Sequence, residues 1–150
     1  MDADHLQRFA GIGRLYGRAG MERLAQSSFL VVGLGGVGSW TVEALARTGV
    51  GHLAMVDGDA VCISNTNRQL HAVAGNDGKP KTEVMAERAR SIHPKIRTTL
   101  HQRFLSRFNP HEVLADSHAD RPTTIVRSPL ARRSCPDRAP PARHTPRPRA

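Results

Sequence analysis

The sequence predicts an α/β protein with a Rossmann-like, doubly wound parallel sheet, followed by a C-terminal tail of different character. Short apolar runs alternate with segments of helical spacing, and a glycine-rich turn directly follows the first apolar run. All 13 glycines lie at or before Gly78, whereas residues 118–150 contain eight Arg and seven Pro. We therefore expect residues 1–117 to form the N-terminal part of one domain with an incomplete sheet, and residues 118–150 to be a disordered tail.

The first third of the chain holds an amphipathic opening, a strand and a helix. The apolar residues of the opening are Leu15, Tyr16, Met21 and Leu24. Residues 29–33 form an apolar run without alternation, which is typical of a parallel strand buried on both faces. Residues 36–48 have the apolar spacing of a helix. We expect Tyr16 and Trp40 to lie in the core.

A second strand, a long loop, another helix and a third strand follow. Residues 52–57 repeat the short apolar run, and the polar stretch 58–80 is expected to be loop with room for a short helical turn. Residues 82–92 have helical spacing, residues 96–100 favour a third strand, and residues 110–115 could open a further helix. This alternation of strand and helix is typical of a doubly wound sheet.

The C-terminal segment 118–150 carries most of the positive charge. Its eight Arg and two Asp supply +6 of the formal net charge of +9. It has no hydrophobic period, and its prolines disfavour helices and central strands, so we expect it to be unstructured. Two interpretations stay open: a basic tail that contacts RNA or acidic partners, or GC-rich coding sequence read out of frame.

The glycine-rich turn indicates a phosphate-binding loop. Residues 33–39 read GLGGVGS, which places the pattern G-x-G-x-x-G between a strand and a helix. Gly33 permits the tight turn, and Gly38 allows close packing of the helix on the strand. Gly35 and Gly36 let the backbone approach a phosphate, which would face the free N–H groups of the helix start. A glycine turn without a ligand is the alternative.

An acid and two cations after the second strand favour a nucleotide with a triphosphate. Asp57 lies 24 positions after Gly33, where a carboxylate can accept hydrogen bonds from ribose hydroxyls; a plain strand-end turn is its alternative role. Arg68 could grip phosphate oxygens, and Lys81 could place a point charge beside them. Their alternatives are a solvated loop charge and an exposed lysine at a helix start. Two cations suit ATP better than NAD, because they would stabilise charge that grows at an attacked α-phosphorus.

Four motifs resemble the E1-like, ThiF-type superfamily of adenylating enzymes in order and spacing. They are residues 33–39 (GLGGVGS), 56–61 (VDGDAV), 64–69 (SNTNRQ) and 79–83 (KPKTE). Within the superfamily, five segments are most similar to the tRNA threonylcarbamoyladenosine dehydratases. They are residues 8–9 (RF), 14–17 (RLYG), 44–49 (ALARTG), 65–72 (NTNRQLHA) and 84–88 (VMAER). The resemblance covers about residues 6–117.

This resemblance implies an ATP-dependent enzyme that dehydrates threonylcarbamoyladenosine in tRNA by activating its carboxylate as an acyl adenylate. Gly36 would then meet the phosphates, and Asp57 the ribose. The other residues implied in nucleotide binding are Asp59, Ser64, Asn65, Asn67, Arg68 and Lys81. Arg68 and Lys81 are also catalytic candidates, together with Arg14, which would reach the partner's site in a homodimer. A cysteine desulfurase or sulfur-acceptor system is a further implied partner besides the tRNA substrate.

The chain departs from the family pattern after residue 117. The family continues through a strand that ends in a magnesium-binding aspartate, but neither Asp116 nor Asp120 ends an apolar strand here. We therefore expect the Mg²⁺ ligand and the rest of the sheet to be missing. Without that ion the triphosphate charge is poorly neutralised, and we expect a weak or inactive enzyme.

Two other functions stay open beside the dehydratase. An activator of a ubiquitin-like sulfur-carrier protein would use the same adenylation on a C-terminal glycine. An NAD-binding dehydrogenase would use the same glycine turn, but Arg68 and Lys81 argue against it. Cys62 and His71 are expected to have packing or structural roles.

We expect a cytoplasmic protein without a membrane segment. No apolar run approaches the roughly 18 residues of a membrane span. The first residues, Met-Asp-Ala-Asp-His, have neither the basic end nor the apolar stretch of a signal peptide.

Overall fold

The computed structural model describes residues 1–105 and 123–127, in which α-helices and parallel strands form an α/β structure. The helices are α1 (Ala3–Arg8), α2 (Ala10–Gln26), α3 (Gly38–Arg47) and α4 (Lys81–Ile92). The strands are β1 (Ser28–Val32), β2 (His52–Val56), β3 (Arg97–His101) and β4 (Thr123–Arg127). A short 3-10 turn, Ile63–Asn65, lies between β2 and α4. None of the helices in these ranges is long and apolar enough to cross a bilayer.

The strands lie side by side in the order β3-β2-β1-β4, and every neighbouring pair is parallel. The sheet therefore grows from β1 through β2 to β3, and then continues on the other side of β1. In open α/β sheets, ligands usually bind outside the carboxyl ends of the strands at the point where the direction reverses, and we call this edge of the sheet the crevice. The predicted Rossmann-like parallel sheet is confirmed, and its glycine-rich turn lies at this switch point.

The central strands β1 and β2 are buried on both faces, as their lack of alternation predicts. One face packs against α3 and α4 and buries Val31, Val42, Leu53, Met55 and Met85. The other face buries Leu30, Val32, Ala54 and Val56. Because Leu30 pairs with Ala54 and Val32 with Val56, the carboxyl ends of β1 and β2 lie level with each other. This packing fixes the floor of the crevice.

Two expectations about the core are wrong. Tyr16 is 63% exposed and Trp40 is 55% exposed. The α2 segment breaks at Gly17, whose φ of +69° is not helical, so the apolar residues before and after it do not share one helical face. The indole N–H of Trp40 donates to the carbonyl of Arg68 at 3.1 Å, so this side chain supports the loop after β2 instead of filling the core.

The C-terminal segment contains a strand that the sequence analysis does not predict. Thr123–Arg127 forms β4 and pairs in parallel with β1, so the expectation of a disordered tail from residue 118 and of a sheet without this strand is wrong for these residues. The run Thr-Thr-Ile-Val is β-branched throughout, and this local preference outweighs the Arg and Pro around it. The expected helix at 110–115 and the rest of 118–150 lie outside the described residues.

Candidate nucleotide-binding site

β1 passes into α3 through the glycine-rich turn. Gly33 adopts a φ of +84°, and its N–H donates to the carbonyl of Val56 at 2.8 Å, which starts the turn level with the end of β2. A Cβ on Gly38 would lie 1.8 Å from the carbonyl oxygen of Gly33. Helix α3 can therefore begin this close to the strand only with glycine at that position. The tight turn and the close packing predicted for these two glycines are both present.

Gly35 and Gly36 present backbone amides at the start of α3. Both residues are half-buried, and among the described residues their N–H groups have no protein acceptor. The carbonyl of Gly35 accepts two hydrogen bonds from Ser39, from the N–H at 3.0 Å and from the hydroxyl at 2.7 Å. Amides of this kind at a helix N-terminus are the groups that bind phosphate in nucleotide sites.

Asp57 follows β2 and joins the two turns at the switch point. Its carboxylate accepts a hydrogen bond from the N–H of Leu34 at 2.6 Å and another from the N–H of Asp59 at 2.8 Å. The turn role that the sequence left open as an alternative is therefore present. A carboxylate has about four lone-pair positions, so the two bonds leave capacity for ribose hydroxyls. The ribose role of Asp57 stays a prediction.

His71 holds the glycine-rich turn from the buried side. Its Nε2 lies 2.7 Å from the carbonyl oxygen of Leu34, and the residue is 2% exposed. Because a carbonyl only accepts, Nε2 carries the proton, and Nδ1 of the neutral ring has no hydrogen-bond partner in the described part of the chain. Burial lowers the pKa of His71 below 6.5; Lys81 lowers it further, whereas the Leu34 carbonyl and Asp57 oppose the shift. The ring is therefore neutral at pH 7.

Lys81 begins α4 and is 1% exposed, so the alternative of an exposed helix-start lysine is wrong. Its Nζ lies 3.3 Å from Oδ2 of Asp59. Burying an ammonium group is unfavourable by several kcal/mol unless it is paired, and Asp59 supplies the counter-charge. The positive charge of Lys81 also contributes to the lowered pKa of His71. Contact with a phosphate stays a prediction.

The predicted ligand residues in the loop between β2 and α4 differ in their exposure to solvent. Ser64, Asn67 and Arg68 are exposed, and the guanidinium of Arg68 donates to Oδ1 of Asn67 at 2.8 Å. Arg68 also lies beside the turn, because a Cβ on Gly36 would be 3.4 Å from its Cγ. Asn65 is 1% exposed, and its carbonyl accepts the N–H of Arg68, so it shapes the loop from inside.

Arg14 has no described contact with the glycine-rich turn. It is exposed on α2, and none of the hydrogen bonds or ion pairs within residues 1–105 and 123–127 joins it to the glycine-rich turn. Its proposed reach into a partner's site stays a prediction.

The described residues do not gather a magnesium site. No three His, Cys, Asp or Glu side chains in these ranges lie together in a way that could hold a metal ion. Asp57 is engaged with backbone N–H groups, and Asp59 with Lys81. β4 ends in Arg127, which is not a metal ligand. We therefore assign no chemical step to a metal.

The chain is similar to known proteins over the part that holds the glycine-rich turn and the loop after β2. The ThiF family profile matches residues 7–126. The tRNA threonylcarbamoyladenosine dehydratase of Escherichia coli (strain K12) is 52% identical over 100 residues, which cover 67% of this chain and 37% of the relative. The protein of the same name from Haemophilus influenzae is 50% identical over 108 residues, which cover 72% of this chain and 41% of the relative.

A solved structure shares the fold. The crystal structure of E. coli tRNA N6-threonylcarbamoyladenosine dehydratase in complex with ATP matches with a TM-score of 0.75 and 46% identity, over 76% of this chain and 47% of that one. The present chain thus spans less than half the length of these relatives.

Proposed function

The chain belongs to the ThiF family, and from this membership we propose that its switch-point crevice binds ATP for the dehydration of threonylcarbamoyladenosine in tRNA. The observation that carries the proposal is the pair of amides at Gly35 and Gly36, framed by Asp57 and Arg68. The dehydratase whose solved structure contains ATP is 46% identical to this chain over the matched part.

The glycine-rich turn would hold the phosphates. The amides of Gly35 and Gly36 donate hydrogen bonds without hindrance from a Cβ, and the positive end of the α3 dipole adds to the attraction. Arg68 is exposed beside Gly36, so its guanidinium can exchange its bond with Asn67 for one with phosphate oxygens. Lys81 would add a second positive charge from its buried position at the start of α4.

The reaction activates a carboxylate. An oxygen of the threonylcarbamoyl carboxylate attacks the α-phosphorus and pyrophosphate leaves, which gives an acyl adenylate. An internal nucleophile of the same modified base then attacks the acyl carbon, AMP leaves with the former carboxylate oxygen, and the proton goes to solvent. The base has lost one water and gained a ring. The turn amides and Arg68 would stabilise the phosphate charge that grows in the first step.

The sulfur-carrier activator and the NAD dehydrogenase are weaker candidates. The E. coli and H. influenzae relatives, which are 52% and 50% identical to this chain, are both named as the tRNA dehydratase. An NAD site needs little positive charge beyond the pyrophosphate, whereas here Arg68 lies beside the glycine-rich turn and the buried Lys81 begins α4 after the same loop.

The proposal is tested by incubating the chain with ATP and tRNA that carries threonylcarbamoyladenosine. We expect AMP to form and the modified nucleoside to lose one water, as measured by mass spectrometry, at a low rate because the described residues hold no magnesium site. tRNA without the threonylcarbamoyl group is the control and should give neither product. Arg68→Gln should lower both rates about tenfold or more. If ATP binds but the nucleoside mass does not change, the dehydration is refuted and only the nucleotide site remains.

A further inference from the structure

The Leu34–Gly35 peptide and the two peptides on either side of it are each held by hydrogen bonds. Asp57 accepts the N–H of Leu34 at 2.6 Å, and His71 lies 2.7 Å from the carbonyl of Leu34. Ser39 donates twice to the carbonyl of Gly35, at 2.7 and 3.0 Å. Of the four backbone polar groups of these two residues, the N–H of Gly35 alone has no protein partner in the described part of the chain.

The direction of that free N–H follows from the bond to His71. The described peptides are all trans, so the carbonyl of Leu34 and the N–H of Gly35 point in opposite directions. His71 is 2% exposed and binds the carbonyl from the buried side. The N–H of Gly35 therefore points away from the core and into the crevice. Glycine alone would leave this peptide free to rotate, because it has no Cβ to restrict its backbone.

We propose that His71 is a positioning residue for nucleotide binding, whose Nε2–H fixes the Leu34–Gly35 peptide so that the Gly35 N–H is aimed at a phosphate. The inference rests on the proposed ATP site. His71 acts through the carbonyl of Leu34 and does not touch the nucleotide itself.

A packing role alone does not account for the ring. Its Nδ1 is buried without a hydrogen-bond partner in the described residues, which is unfavourable for a polar atom. Its Nε2 makes a short bond to a group 37 positions away in the sequence. The neighbouring loop is tied to the same turn by a second long-range bond, from the N–H of Leu70 to the hydroxyl of Ser39 at 3.2 Å. The buried side of the turn is thus held by directed hydrogen bonds.

Two amide substitutions separate positioning from packing. The amide nitrogen of glutamine can take the place of Nε2, whereas that of asparagine reaches only as far as Nδ1. The full chain is titrated with ATP and with adenosine, which has no phosphate. We expect His71→Asn to raise the Kd for ATP about tenfold and to leave that for adenosine within about twofold. His71→Gln should restore ATP binding to within about threefold of the parent chain.

The outcomes distinguish this inference from the proposed function. A parent chain that binds no ATP would refute the ATP site. An equal loss of ATP and adenosine affinity, or equal behaviour of His71→Gln and His71→Asn, would show that the ring only fills space. A nitrogen-15 NMR spectrum of the parent chain decides the remaining case without any ligand or variant. We expect a neutral ring protonated on Nε2 at pH 7, and a ring protonated on Nδ1 would overturn the inference.

Discussion

Replacing Gly38 by alanine would press the start of α3 against the end of β1. The added Cβ would lie 1.8 Å from the carbonyl oxygen of Gly33, so backbone must move by about 1.6 Å to restore an ordinary contact. Overpacking of this kind is unfavourable by about 1–3 kcal/mol, and the clash with backbone puts Gly38→Ala at the upper end. Alanine regains at most about 1 kcal/mol in helix propensity. The expected net loss is about 2 kcal/mol, or a decrease in Tm on the order of 8 °C.

Alanine at two other glycines supplies matched comparisons. A Cβ on Gly36 would lie 3.4 Å from Cγ of Arg68, an ordinary contact, so Gly36→Ala should change stability by less than about 0.5 kcal/mol. Its methyl group would still stand where the phosphate approaches, and ATP affinity should fall about tenfold or more. A Cβ on Gly11 would meet nothing within 4 Å, so Gly11→Ala in α2 should stabilise by up to about 1 kcal/mol and leave ATP binding unchanged.

Thermal unfolding and ATP calorimetry on the three variants check these expectations. Gly38→Ala should lower the Tm, Gly36→Ala should lower only the affinity, and Gly11→Ala should lower neither. A Gly38→Ala variant as stable as the parent chain would refute the close packing of α3 on β1. Unchanged ATP binding by Gly36→Ala would refute the assignment of this turn to phosphate.

Three further predictions concern charged and titratable groups. Asp57→Ala removes the acceptor of two backbone N–H groups and should lower the free energy of unfolding by about 1.5–3 kcal/mol, as measured by urea titration. It should also lower the ATP affinity about tenfold, as measured by calorimetry. Unchanged ATP affinity would reduce Asp57 to an ordinary turn residue. The carboxylate of Glu43 accepts a hydrogen bond from Arg88, whose side chain is 45% exposed. Glu43→Gln should therefore lower the free energy of unfolding by only about 1 kcal/mol. Because Arg88 lowers the pKa of Glu43 below 4.5, this difference from the parent chain should be present above that pH and disappear as the pH falls through the lowered pKa; a pH-independent difference would contradict the ion pair. Burial lowers the pKa of His5 and of His93 below 6.5, so as the pH falls these two groups take up protons in the unfolded chain before they do so in the folded one. The Tm should therefore fall between pH 7.5 and about pH 5.5. The double variant with Asn at both positions should show a smaller decrease.

The sheet could be predicted because its determinants are local. Residues 29–33 and 52–57 are apolar runs bounded by turns, and both became central strands with nearly these limits. β4 could not be predicted in this way, because residues 118–150 are rich in Arg and Pro as a whole and a five-residue strand contributes little to their composition. Pairing with β1 depends on a partner about 95 positions away, and no local pattern carries that information.

The features of the candidate site could likewise be predicted only where their cause is local in the sequence. Gly33 and Gly38 could be assigned from the motif, because a tight turn and a close helix start require glycine wherever they occur. The burial of Lys81 and the bond from His71 to Leu34 could not, since they arise from contacts between segments that are distant in sequence. The alternative of an exposed Lys81 reflected the usual behaviour of lysine at a helix start, and the carboxylate of Asp59 changes that behaviour here.

The assignment of the crevice to ATP is tested most directly by comparing ATP and NAD binding to the full chain in calorimetric titrations. The exposed guanidinium of Arg68 beside the turn and the buried charge of Lys81 predict that ATP binds at least about tenfold more tightly than NAD. Arg68→Gln should remove most of this preference, because it deletes the charge and keeps a polar side chain. Equal or tighter binding of NAD by the parent chain would contradict the assignment.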